Sequence, residues 1–436
     1  MPIIIILYIL TGCCVLGIEA RKLVRIKRIT FGIFGFSFFA IFCCIIPGLT
    51  LWEGDLSRCR NHSEWYAFIT YCITLIACIM AYFGYSVGSS NKSRISHENR
   101  HILLSMNKDN NITLFATALL VVSVISLYLY SSGYGGIMQT MLKGGQIRAS
   151  FIHSSNSYAF FKHLIPLSII ASLLIYTDIF IKRKTKLLFL KLILFILSFI
   201  ISIIYITAND GRMLAGIYIL LFIIIAIKYK FERSHTSLKK LLIITSIVCT
   251  CIFILIIESE NIFNAFRGRE SISSDNTALD VILTEFNFIY VSLYTSVTYI
   301  LDYGSNYLII NDLVNGLFAW LPTSLKPMVL DDVWDYNTIL INDGGYGQSP
   351  VNIVAQSFYD LGILGIIIIP FAYTLVMGKL DCYFKNNYST IGLVFSTVLA
   401  FYMGKAMAYF SLYNLMMNIF FIVLSWYIYK LIVSRL

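Results

Sequence analysis

Apolar residues run through this chain in long blocks, and polar residues collect in the short gaps between them. A membrane-spanning helix needs about 20 mostly apolar residues. Runs of that kind occur at 2–19, 30–52, 65–88, 111–131, 159–181, 187–207, 211–228, 240–257, 352–378, 389–409 and 412–432, about eleven predicted spans. One gap is much longer than the rest. Residues 258–350 form a polar stretch, from Glu258 through Arg267, Arg269 and Glu270 to Gly344 and Pro350.

The connectors carry a second pattern. Arg21, Lys22, Arg25, Lys27 and Arg28 follow the first run, and Lys92, Arg94, Arg100 and Lys108 follow the third. Lys182, Arg183, Lys184 and Lys186 follow the fifth, and Lys228, Lys230, Arg233, Lys239 and Lys240 the seventh. Lys379 and Lys385 follow the ninth, and Lys430 and Arg435 come at the end. Alternate connectors are poorer in Lys and Arg and carry Glu53, Asp55, Glu64 or Asp210. By the positive-inside rule the N-terminus and the long loop lie outside and the C-terminus lies in the cytoplasm.

Within the long loop, 281–301 is apolar enough to span. Glu285, Ser292, Thr295 and Ser296 share one helical face, however, which fits a helix lying at the interface or against the bundle. A crossing there would put 304–350 on the opposite side. Residues 308–320 form an amphipathic pattern, with Leu313, Leu317 and Trp320 on one side and Asp312 and Asn315 on the other. The expected fold is thus an all-α polytopic membrane protein. It has eight helices over 1–257 with a small outer excursion at 132–158, the loop 258–350, and three C-terminal helices over 351–436.

Composition narrows the function classes. Of 436 residues, 58% are hydrophobic and 13% charged, against about 25% charged in soluble domains. A net charge of +10 lies in topology-setting clusters rather than one patch, so nucleic acid is not an expected partner. The ten cysteines lie mostly inside apolar runs, without zinc spacing or a disulfide pattern.

Chemistry-bearing residues gather in the outer connectors. Arg212 begins an apolar helix after the hairpin Asn209-Asp210-Gly211. A cation there opposes the helix dipole. Either an anion such as phosphate is held by the guanidinium and the helix N-terminus, or Arg212 snorkels to headgroups or pairs with Asp210. Arg267, Arg269 and Glu270 form a second cluster, either ion-paired among themselves or arranged to hold pyrophosphate. Lys143, Arg148 and His153 occupy the 132–158 excursion. Asp343, Tyr346, Gln348, Asn352, Gln356, Tyr359 and Asp360 surround the glycine-rich entry to the ninth run. Polar side chains at that depth face a bundle interior or cavity.

The Gly-x-x-Pro-x-Asn352 succession, Tyr359-Asp-x-Gly362-x-x-Gly365, Ala319-Trp-Leu-Pro322 and Asn209-Asp-Gly-Arg212 resemble the O-antigen and oligosaccharide repeat-unit polymerases of the Wzy type. The layout is also similar to that of O-antigen ligases, but those carry a His in the large loop, and 258–350 holds none. The resemblance implies a GT-C-like arrangement in a bacterial inner membrane, with the large loop periplasmic. Its partners would be membrane lipid, donor and acceptor glycans linked to undecaprenyl pyrophosphate, and a polysaccharide chain-length regulator. It implies glycosyl transfer without metal or cofactor. Arg212, Arg267 and Arg269 would stabilise the pyrophosphate leaving group, and Glu270 or Asp343 would serve as base. Lys143, Arg148, His153, Tyr346, Gln348, Asn352 and Tyr359 would bind substrate. The alternatives are a ligase, or a transporter or flippase of lipid-linked oligosaccharide.

Overall fold

The computed structural model describes residues 1–59, 62–90, 112–148, 156, 158–183, 186–208, 212–234, 283, 286–304, 307–321, 325–326, 328, 330–342, 349–385 and 389–434. The main helices in chain order are α1 (Pro2–Ile26), α2 (Phe31–Glu53), α3 (Glu64–Ser90), α4 (Ile112–Ser132), α5 (Ala159–Ile181), α6 (Leu188–Ala208) and α7 (Arg212–Ser234). They continue with α8 (Phe288–Tyr303), α9 (Ile309–Leu317), α10 (Val333–Ile341), α11 (Ile353–Leu361), α12 (Ile363–Phe384), α13 (Thr390–Ala406) and α14 (Leu412–Ser434). The protein is an all-α polytopic membrane protein. Among the described residues nine helices are long and apolar enough to span.

Two of the eleven expected runs come out differently, and a third is not among the described residues. The run at 240–257 lies outside the described residues. The run at 389–409 is α13, an apolar helix shorter than the length expected of a span. The run at 352–378 is two helices, because Gly362 adopts φ 60 and breaks the chain between α11 and α12. Only a residue without Cβ takes such a backbone at little cost. The span therefore begins at Ile363.

By contacts the chain forms two compact units. The first comprises residues 1–94, 275–385 and 400–418, and the second 95–274, 386–399 and 419–436. In the first unit α3 and α12 pack backbone to backbone. A Cβ on Gly84 would sit 2.1 Å from the Phe371 carbonyl oxygen, and one on Gly88 2.3 Å from that of Leu375. Glycines one turn apart give membrane helices this close approach. Thr374 Oγ1 donates to the Ala81 carbonyl at 2.7 Å and returns to the carbonyl of Pro370 at 2.7 Å.

At one end of this unit Arg28 donates to the backbone oxygen of Asp381 at 2.9 Å and to its carboxylate at 3.2 Å. The Phe31 amide and the Tyr85 hydroxyl donate to the same carboxylate. The basic connectors 21–28 and 379–385 thus meet at one end, as the positive-inside pattern requires of connectors on one side.

Helix α8 belongs to the other end. Asn287 donates to the Asp55 carbonyl, the Ser63 amide to Tyr294 Oη at 2.9 Å, and Tyr66 to Asp302. Its start, middle and end are all tied to the 55–66 connector, so the helix does not run to the opposite end of the unit. It is also buried on every face from Ile289 to Thr298. Of the two placements expected, at the interface or against the bundle, the second is found: the polar face of Ser292, Thr295 and Ser296 lies inside, covered by other helices. The second unit is built around α4, α5 and α6, where Leu127, Tyr130 and Ile165 form a core with Tyr134, Phe161, Ile201 and Tyr205. Ser168 and Ser202 hydroxyls meet there at 2.9 Å, and Lys191 pairs with Asp178 at 2.5 Å.

Candidate functional site

Helices α8–α11 form a cap on one end of the first unit, held by a buried polar network. Asn352 is the N-cap of α11: its Oδ1 accepts from the Ala355 amide at 2.8 Å and so satisfies a donor that the helix leaves open. Asn352, Gln356 and Asp360 recur every four residues and share one face of α11, and all three are buried. Gln356 Nε2 donates to a carboxylate oxygen of Asp312 on α9 and to Asp360 Oδ2 at 3.2 Å. Asp312 also accepts from the Val333 amide at 3.4 Å.

A second knot surrounds Asn337 of α10, which is fully buried. Its Oδ1 accepts from Tyr359 Oη at 2.9 Å, and its Nδ2 donates to Ser292 Oγ at 3.0 Å and to the Ser349 carbonyl at 2.7 Å. Ser292 Oγ donates onward to the Pro350 carbonyl at 2.9 Å, and the Ser349 amide donates to Thr338 Oγ1 at 2.8 Å. Residues 349–350 are thereby pinned between α8 and α10. Trp334 Nε1 donates to the Phe410 carbonyl at 2.6 Å, and Val351 pairs with Phe410 in a short antiparallel bridge.

Electrostatically the Asp312–Asp360 pair is the distinctive feature. Burial raises the pKa of both carboxyls well above the ordinary range, and the charge of Asp312 raises Asp360 further. Asp332, at the N-cap of α10, is raised by burial to about 6. Two neighbouring carboxyls in a dry site cannot both ionise cheaply, so the pair retains a proton to higher pH than an exposed carboxyl does. Asn352 Nδ2, Gln356 Oε1 and Asp360 Oδ1 are buried and unpartnered.

These shifts set a pH dependence. An unfolded Asp titrates near about 3.9. Above that pH the folded cap binds more protons than the unfolded chain, so its stability falls as pH rises toward the raised folded values. Limited proteolysis of the purified protein is expected to cut the cap more slowly at about pH 5 than at about pH 8. Asp360→Asn should flatten that difference, and an unchanged slope in the variant would remove the pair as its source.

The sequence-derived site residues fall in several places. Arg212 is the first residue of α7, and its side chain lies outside the described set, as does that of Arg148, which ends the short helix Gly144–Arg148. His153, Arg267, Arg269, Glu270, Asp343, Tyr346 and Gln348 lie outside the described residues. Lys143 is exposed and caps the short helix Ile137–Leu142. Its neighbour Gly144 packs on the end of α6, where a Cβ would lie 2.7 Å from the Ala208 carbonyl oxygen. The start of the 132–158 excursion thus rests on the Thr207–Ala208 end of α6 in the second unit. Asn352 and Tyr359 are both buried in the cap, one as a helix cap and the other bonded to Asn337.

The sequence places Asp312 and Ser292 only on polar helix faces and gives no signal for Asn337. The four-residue spacing of Asn352, Gln356 and Asp360 was a readable signal for α11. The pairing of Asp312 with Asp360 was not, because 48 positions separate them. No protein-family model, curated protein or solved structure matches this chain.

Proposed function

We propose that this protein is a glycosyltransferase that joins oligosaccharide repeat units carried on polyprenyl pyrophosphate, at the periplasmic face of a bacterial inner membrane. The observation that carries this reading is the cap. The described part of the long polar stretch packs with α11 through a buried polar network, and the resemblance residues Trp320, Asn352, Tyr359 and Gly362 lie in or beside this cap. A cap of this kind suits a reaction in which the lipid tails stay in the bilayer while the sugars meet above it.

In this proposal the growing glycan leaves its pyrophosphate and passes to a hydroxyl of the next lipid-linked unit. The C–O bond to pyrophosphate breaks as the new glycosidic bond forms. Arginine is suited to the charge that develops on the leaving group, because its fork meets phosphate oxygens in two directions. Arg212, Arg267 and Arg269 are the candidates, and Glu270 or Asp343 takes the proton of the acceptor hydroxyl. Lys143, exposed beside the Gly144 that packs on the end of α6, supplements the positive field.

Deleting the gene tests the reading. Lipopolysaccharide from the deletion strain should carry single repeat units in place of a long ladder, and the intact gene should restore the ladder. Bare core would instead point to a ligase or a flippase. One observation favours transport as a second reading: the buried Asp312–Asp360 pair, for which no Lys or Arg partner occurs among the described residues. Intramembrane or buried carboxyls of this kind serve proton-coupled carriers.

A further inference from the structure

Helix α9 is amphipathic in the reverse of the soluble sense. Its polar side chains bond to the segment that leads into α10 or lie beneath the helix: Asn311 donates to the Asp331 carbonyl at 3.1 Å, Asn315 to the Leu330 carbonyl at 2.8 Å, and Asp312 is 4% exposed. Its apolar side chains turn outward, with Ile310 67%, Leu313 46% and Leu317 77% exposed. Asp312 is the helix's one charged residue, so the outward face carries no charge.

One end of α9 rests on α11 and the other on the first turn of α14. At the N-terminal end the Leu308 amide donates to the Tyr359 carbonyl at 3.4 Å, four residues before α12 begins with Ile363 (67% exposed) and Leu364 (63% exposed). At the C-terminal end Gly316 packs on Leu412, where a Cβ would lie 2.4 Å from Leu412 Cγ, and Trp320 Nε1 donates to the Met416 carbonyl at 2.8 Å. Lys326 then lies 4.6 Å from the ring centre of Tyr413. The helix therefore runs from the end of α11, just ahead of α12, to the start of α14, and its outward residues are apolar and exposed like those that open α12.

We propose that α9 is immersed in the bilayer, with Ile310, Leu313 and Leu317 among the acyl chains of one leaflet and Trp320 and Lys326 at its headgroup level. The occupant of this face is lipid. The Leu308–Tyr359 bond favours it, since it fixes that end of α9 four residues ahead of Ile363 and Leu364, which open a span with exposed apolar side chains. An exposed apolar face left in water would be an aggregation liability, and Trp and Lys at the rim are what a membrane boundary selects. The cap is thus a lipid-seated element rather than a domain held clear of the membrane. This inference rests on the geometry of α9, α12 and α14 and is independent of the transferase reading.

The test uses full-length protein in vesicles of phosphatidylcholine and phosphatidylglycerol. A nitroxide is attached at Leu317→Cys or Ile310→Cys, in a background where the exposed Cys13 and Cys14 are replaced by serine. Asp331→Cys, at an exposed position on the polar side, is the comparison. Collision with oxygen relative to a water-soluble nickel chelate should be several-fold higher at 317 and 310 than at 331. Equal ratios at all three positions, or nickel contact at both 310 and 317, would overturn the proposal. Two independent label positions keep the result readable if one variant fails to fold.

Discussion

Replacing Arg212 with alanine is expected to leave the protein inserted and folded while long-chain glycan disappears. Arg212 is the first residue of α7, and a cation at a helix N-terminus works against the helix dipole unless an anion joins it. Loss of one preorganised charge-stabilising group costs about 10²–10³ in turnover. The ladder of a complemented deletion strain should shrink to single units accordingly. Arg212→Lys separates the two readings of this residue. A headgroup contact or a pair with Asp210 tolerates lysine, whereas a forked contact to two phosphate oxygens does not. A full ladder from Arg212→Ala, at normal protein levels, would end the role assigned to it.

The second large effect is on folding. Gly84→Leu is expected to unseat α3 from α12 and lower the thermal midpoint of the detergent-purified protein sharply. The first added carbon already lies 2.1 Å from the Phe371 carbonyl oxygen, and backbone cannot swing aside as a side chain does. Overpacking costs about 1–3 kcal/mol where side chains yield, and this contact belongs at or above the top of that range. The same helices carry the Tyr85–Asp381 contact, and Asp381 also holds Arg28, so the loss should spread to the end where the basic connectors meet. Gly17→Ala is the matched control. No atom lies within 4 Å of its added carbon, and alanine is about 1 kcal/mol better than glycine inside a helix. Equal midpoints for Gly84→Leu and Gly17→Ala would show that α3 and α12 do not depend on close backbone contact.

Much of the fold was legible because the bilayer reads composition directly. Runs such as 2–19 and 65–88 need no partner to declare themselves, since any sequence of that length and polarity must hide its backbone in a helix. The boundary at Gly362 was harder. Residues 352–378 read as one apolar run, and only the left-handed backbone at Gly362 divides it. The polar face of α8 was visible, but its meaning was not: Ser292, Thr295 and Ser296 are polar whether they face headgroups or the Asn337 knot. For α9 the two faces were assigned correctly, and tertiary contacts turned the polar one inward.

Hydropathy and the spacing of lysines and arginines by themselves determined that this is a helical membrane protein with alternating connectors and one long polar segment. Those properties are additive along the chain, so they survive without knowledge of contacts. The folded arrangement alone decided that part of this segment is a cap, that Asp312 and Asp360 share a buried site, and that α9 turns its apolar side outward. Each depends on residues far apart in sequence meeting in space, and a buried carboxyl acquires its chemistry from the neighbours and the dryness that such a meeting creates.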